Sequence, residues 1–280
     1  MLLRDLIAGP VRPARVLAAG PAATYTEADG QVLAIVTAGG VRLPCAVMLA
    51  AGGRLPAARS RVAVGRGAIH EDGRQLVVVR RWFDPRVRLA GVDGLAVARL
   101  ADVVRLRGSV DALLPQDAVD RLATGLVSGD AAGAVSPLLG RGTGLTPAGD
   151  DLVAGALAGL RALRSSAADR LGAAVRALAP AATTRLSAAL LEAADVGGLV
   201  PEAAGVLRAL AGGGDVQAAA DRLVALGHSS GWHLAAGLLV GVTLAGAGPG
   251  APPPEPAFEG DGFRRFGTPV RLPGAAGVPS

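Results

Sequence analysis

The spacing of apolar residues changes about a third of the way along the chain. Residues 15–83 carry short runs that alternate or are rich in β-branched residues: VLAAG at 16–20, QVLAIVT at 31–37, RLPCAVMLA at 42–50, RVAVGRGAI at 61–69 and QLVVVRRWF at 75–83. Gly, Pro and Asp punctuate them, and the steps Ala28-Asp29-Gly30 and Glu71-Asp72-Gly73 have the composition of tight hairpin turns. Trp82, Phe83 and Pro85 close the segment. This pattern predicts an antiparallel sheet, sandwich or small barrel. From Gly91 the apolar residues recur at helical spacing, first in LAVARLADVVRL (95–106) and DAVDRLATGLV (117–127). LVAGALAGLRALR, RLGAAVRALA, TTRLSAALLEAA, PEAAGVLRALA, VQAAADRLVALG and HLAAGLLVGVTLAG continue the helical series. After Gly246 the stretch GAGPGAPPPEP is too rich in Pro and Gly to fold alone. The expected fold class is therefore α+β. An antiparallel β domain (1–90) precedes an all-helical domain (91–247), and residues 248–280 form a Pro/Gly-rich tail.

Composition narrows the chemistry. Hydrophobic residues make up 51% of the 280 residues and aromatic residues only 2%, so the core must be built from Ala, Val and Leu. All 28 basic residues are Arg, and the chain has neither Lys nor Asn, a pattern expected of a GC-rich coding sequence. Without Lys, a Schiff base and a Walker A loop are both excluded. The net charge of +5 is modest, and the arginines lack the aromatic interleaving or fold motif expected of a nucleic-acid binder. A single cysteine, Cys45, excludes an internal disulfide framework and a thiolate metal cluster. The start, MLLRDLIAGPVRPAR, lacks the continuous apolar core of a signal peptide. The apolar run from Leu234 to Ala247 suits a buried helix better than a membrane span. A cytoplasmic location is the expectation.

The densest chemical signal is GRGTGLTPAGDD at 140–151. Gly140, Gly142 and Gly144 alternate, which permits unusual backbone angles and close approach to a ligand. Thr146 suits an N-cap and Pro147 the first helical position. The open amides of such a helix start, with the positive end of its dipole, attract a phosphate or carboxylate. Arg141 adds a bidentate contact and Thr143 a hydroxyl. Gly149, Asp150 and Asp151 fall within or just beyond the first turn. Two acids beside a bound anion repel it unless a cation or an amide lies between them. The pair therefore reads either as a Mg²⁺ site or as acceptors for a substrate NH₂ group.

PLLGRGTGLTPAGDDLVAGALAGL at 137–160 is similar to the signature of the AllH-like family, which includes the H subunit of the heteromeric oxamate carbamoyltransferase of anaerobic allantoin breakdown. The likeness extends to TTRLSAALL at 183–191 and GHSSGWHLAAGLL at 227–239, so it covers mainly residues 135–245. The resemblance implies purine catabolism, partner subunits, and carbamoyl transfer between carbamoyl phosphate and oxamate to give oxalurate and phosphate. It assigns no catalytic residue.

Further candidates lie in the matching segments. Thr183, Thr184 and Ser187 open a helix, as a capping cluster or as substrate contacts. His228 and His233 bracket Ser229, Ser230 and Gly231, and their spacing does not place two ligands on one helix face. Zinc is thereby disfavoured. GDDLVAGALAG (149–159) aligns without a gap with GWHLAAGLLVG (231–241), matching Gly149 with Gly231, Asp151 with His233, Gly155 with Gly237 and Gly159 with Gly241. Two equivalent helices packed through their glycine faces would bring both starts to one pocket. Asp150, Asp151 and His233 are then the candidate catalytic groups. A small-molecule kinase and a non-catalytic anion-binding assembly subunit are the alternatives to a carbamoyltransferase subunit.

Overall fold

A computed structural model describes residues 3–80, 83–84, 86–107, 114–115 and 117–246. Trp82, Pro85 and the tail at 248–280 lie outside the described residues. Among the described residues, a short helix α1 (Arg4–Ala8) is followed by seven strands: β1 (Arg12–Ala19), β2 (Ala23–Ala28), β3 (Gln31–Val36), β4 (Ala46–Met48), β5 (Val62–Gly65), β6 (Ala68–Glu71) and β7 (Arg74–Val78). They form one sheet in the order β4-β3-β2-β1-β5-β6-β7.

Both expected hairpin turns are present. Asp29 and Gly30, like Asp72 and Gly73, have positive φ at both central positions, the type I′ geometry that matches strand twist. A third turn of this kind at Arg66 and Gly67 splits the expected strand 61–69 into β5 and β6. Strand β2 was not expected, because Ala-Thr-Tyr-Thr-Glu-Ala carries little apolar signal. One pairing departs from the antiparallel pattern: β3 and β4 run parallel. Residues 37–45 form a crossover loop there, not a two-residue turn, so β4 returns in the direction of β3.

The helices are α2 (Gly94–Arg107), α3 (Ala118–Ser128), α4 (Ala131–Val135), α5 (Ala148–Ala162), α6 (Ala167–Ala182), α7 (Arg185–Asp195), α8 (Pro201–Leu210), α9 (Val216–Val224) and α10 (Ser230–Gly246). No helix among the described residues is long and apolar enough to cross a membrane. Helix α5 is the centre of this region, with every residue from Ala148 to Leu160 buried. Its Ala/Gly composition suits that place, since small side chains let neighbouring backbones approach closely.

Helix α10 lies directly against α5. A Cβ on Gly155 would run into the Leu234 carbonyl and lie 3.0 Å from the Cα of Gly237. A Cβ on Gly241 would run into the Ala156 carbonyl and lie 3.1 Å from the Cα of Gly159. The contacts advance together along both helices, so α5 and α10 are parallel and start at the same end. Helix α7 shares that direction. Its first turn meets the first turn of α5 through Ser187 and Asp150, and its last residue, Asp195, pairs with Arg161 in the last turn of α5 at 2.6 Å. Leu186 of α7 also enters the core of the sheet, and Arg185 is ion-paired with Glu27 of β2. The sheet thus holds α7, and α7 holds one side of the α5 start.

Candidate anion-binding site at three helix starts

Because α5, α7 and α10 are parallel neighbours, their N-termini gather at one end of the helical region. Residues 140–147 lie among them. Gly140, Gly142 and Gly144 have φ of +73°, +123° and +88°. A Cβ at Gly140 would collide with the Ala182 carbonyl, and one at Gly142 would lie 2.5 Å from the Ala148 nitrogen. Gly144 has nothing within 4 Å of a Cβ position, so its constraint is the backbone angle alone.

The helix starts one residue later than the capping pattern suggests. Pro147 is the N-cap, extended at φ −55°, ψ 144°, and Ala148 is the first helical residue. Thr146 is consequently not a cap. Its hydroxyl meets the Ser230 hydroxyl at 3.1 Å, joining the starts of α5 and α10. On the other flank the Thr184 hydroxyl donates to the Leu145 carbonyl at 2.6 Å and also caps α7 by accepting from the Ser187 amide at 3.0 Å.

The loop amides divide into two groups. Gly140 donates to Asp150 Oδ1 at 2.9 Å, Arg141 to the Leu138 carbonyl at 3.0 Å and Gly149 to the Arg141 carbonyl at 2.9 Å. These three are engaged and do not join a ligand cradle. The amides of Gly142, Thr143, Gly144, Leu145 and Thr146 have no acceptor among the described residues. Arg141 and Thr143 are exposed, and Arg141 joins no ion pair among the described residues.

The two acids are in different situations. Asp150 is 1% exposed and saturated: Oδ1 takes the Gly140 amide, and Oδ2 takes the hydroxyls of Thr183 and of Ser187, the latter at 2.7 Å. Asp151 is 7% exposed, and its Oδ2 has no hydrogen-bond partner among the described residues. Burial pushes the Asp151 carboxyl up to about 8, against a downward pull from the Ser230 hydroxyl and with a smaller upward push from Asp150. Asp150 is not open to Mg²⁺, because its oxygens already accept from protein donors, and no group of three or more Asp, Glu, His or Cys side chains that could hold a metal ion occurs among the described residues.

The helix α10 start repeats the α5 start in its backbone. Leu226 donates to the Leu223 carbonyl at 3.0 Å and Gly231 to the Leu226 carbonyl at 3.0 Å, as Arg141 and Gly149 do with Leu138 and Arg141. Gly231 packs on the Leu223 carbonyl as Gly149 packs on that of Leu138. The Gly231 amide is therefore also engaged. His233, matched to Asp151, is 1% exposed, with Nδ1 2.9 Å from the Ser229 carbonyl and its ring edge-on to Trp232. Ser229 and Ser230 are half-buried, and His228 is exposed. Sequence reasoning did not find Leu145, whose carbonyl ties the loop to α7; a backbone acceptor leaves no mark in residue type.

Comparison with known proteins agrees with the bounds of this unit. Residues 138–242, from the anchor of the glycine loop to α10, match the family model described as oxamate carbamoyltransferase subunit AllH. No curated protein and no solved structure matches the chain.

Proposed function

We propose that this protein, whose residues 138–242 are similar to AllH, is a subunit of an oxamate carbamoyltransferase-type enzyme, and that its glycine loop holds the anionic end of a substrate. The family match supports a subunit that works with protein partners. The observation that carries the site reading is the unengaged run of amides from Gly142 to Thr146, set over three parallel helix starts. Each helix start carries roughly half a positive charge, and three aligned starts add their fields where an anion would lie.

In the reaction, the oxamate nitrogen attacks the carbamoyl carbon of carbamoyl phosphate. The bond from that carbon to the phosphate oxygen breaks, and the nitrogen loses a proton as oxalurate forms. Both substrates carry an anionic end that suits the loop. Asp150 is a positioning residue, holding Gly140 to α7. Asp151, beside Asp150, and His233 are buried titratable groups in the first turns of α5 and α10.

Calorimetric titration of the full chain with phosphate, carbamoyl phosphate and oxamate tests the site, and oxamate-dependent phosphate release tests the reaction, with and without companion subunits. The reading expects binding by the isolated chain and turnover that needs the chain. Absence of all binding, with turnover unchanged when the chain is left out, would sink it.

A further inference from the structure

The candidate site offers donors: the unengaged amides of 142–146, the exposed Arg141 guanidinium, the hydroxyls of Thr143 and Ser229, and the Thr146–Ser230 hydroxyl pair, bonded to each other. One buried acceptor stands apart. Asp151 Oδ2 has no partner among the described residues, although the adjacent Asp150 has every oxygen filled by protein donors. Asp151 lies one helical turn before Gly155 and on the same face, and Gly155 packs on the Leu234 carbonyl of α10. The carboxyl is therefore set against the first turn of α10, beside the Thr146–Ser230 hydrogen bond. Buried polar atoms are rarely left without a partner, and an acceptor without a donor in a donor-rich site complements a ligand that brings its own N–H.

We propose that Asp151 recognises the carboxamide of the bound anion, so that the site selects a small anion bearing a –CO–NH₂ group over the same anion without one. This assignment rests on the anion-site reading above. It also removes an electrostatic conflict. With its carboxyl pushed up to about 8, Asp151 keeps its proton at neutral pH and adds no negative charge beside the ligand. With the proton on the oxygen that faces Ser230, Oδ2 is a carbonyl-type acceptor for one N–H of a primary amide.

Oxamate and pyruvate provide the test, because pyruvate replaces the NH₂ of oxamate by CH₃ at equal charge and similar shape. Titrations use the full chain, its D151A variant and its D151N variant, with thermal unfolding to confirm that each is folded. The wild type should bind oxamate at least about tenfold more tightly than pyruvate, the cost of leaving a buried polar group unpaired. D151A should bind the two alike. D151N, which keeps a carbonyl and an N–H donor, should retain the preference. Equal affinities in the wild type overturn the assignment and leave the anion site standing, and so does a preference that survives in folded D151A or vanishes in folded D151N. If D151A does not fold, D151L, which removes both oxygens and fills their volume, takes its place and should bind the two alike. Failure of oxamate, pyruvate and phosphate all to bind overturns the anion-site reading itself.

Discussion

The starts of α5 and α10 are the same backbone device at different lengths. In each, a glycine of the first turn packs on a leucine carbonyl and donates to the carbonyl three residues after that leucine. The connecting stretch runs eight positions from Arg141 to Gly149, but only five from Leu226 to Gly231. The extra three residues fall where Gly142 and Gly144 take positive φ and where the unengaged amides lie. The side chains diverge as well. Asp150 and Asp151 of α5 stand where α10 has Trp232, which donates to the Val104 carbonyl at 2.9 Å, and His233. The shared geometry shows what docking two helix starts requires. What the α5 start has in addition is what a ligand would use.

That comparison can be broken at four levels. The deepest is the common seam. Gly155→Leu would drive a branched side chain into the Leu234 carbonyl and the Cα of Gly237, neither of which can move independently of its helix. Overpacking of this kind costs about 3 kcal/mol or more. Denaturant unfolding measures it, and a wild-type midpoint would refute the tight parallel seam.

Next is the tie that only the α5 start possesses. Asp150→Ala strands the Gly140 amide and the hydroxyls of Thr183 and Ser187, which should cost about 2–3 kcal/mol and open residues 140–147 to proteolysis. The matching change in the α10 start, Trp232→Phe, removes one half-buried hydrogen bond and should cost about 1 kcal/mol. Equal losses would mean that Asp150 does not organise the loop.

Asp151 gives a third test through pH. In the unfolded chain its carboxyl ionises near the ordinary 3.8, but in the fold it holds its proton up to about 8. The unfolded state therefore releases its proton first as pH rises. Stability from this group is full below about 4, declines between about 4 and about 8, and is level above that. The slope is at most about 1.4 kcal/mol per pH unit. Asp151→Asn should flatten the decline relative to the wild type, and parallel stability profiles for the two proteins would contradict the burial argument.

A stability effect smaller than those at the seam and at Asp150 is expected at Gly144, together with a large effect on binding. Gly144→Val meets no atom of the protein within 4 Å, so its cost is that of a side chain at φ +88°, about 1–2 kcal/mol. Anion binding should fall at least about tenfold, since both the loop path and the approach of the ligand change. Unaltered affinity in a titration would remove the loop from the binding site.

Much of this was legible in the residues. The hairpin turns at Asp29-Gly30 and Asp72-Gly73 were, because only a few residue types tolerate positive φ at both positions. The paired glycine faces were, because Gly155, Gly159, Gly237 and Gly241 repeat at one helical turn and leave both helices without side chains along a line. The split of the expected strand 61–69 was not, since Arg66 is an uncommon residue at positive φ. The parallel direction of β4 was not, because strand direction depends on the path of residues 37–45 and not on the strand itself. At the site, the adjacent acids looked alike in sequence. Their difference comes from Thr183 and Ser187, which reach Asp150 from 33 and 37 positions away.

The sequence alone determined the local devices: left-handed glycines, a proline-led helix start, and two apolar helices with matching small-residue stripes. These follow from sterics within a few residues, which the chain carries wherever it goes. The tertiary structure decided which helix starts meet, which amides are left for a ligand, and which of the two aspartates is satisfied. Those depend on the packing of α5, α7 and α10 in one direction. Packing is a property of surfaces brought together from distant parts of the chain, and burial, which sets the state of Asp151, exists only once they meet.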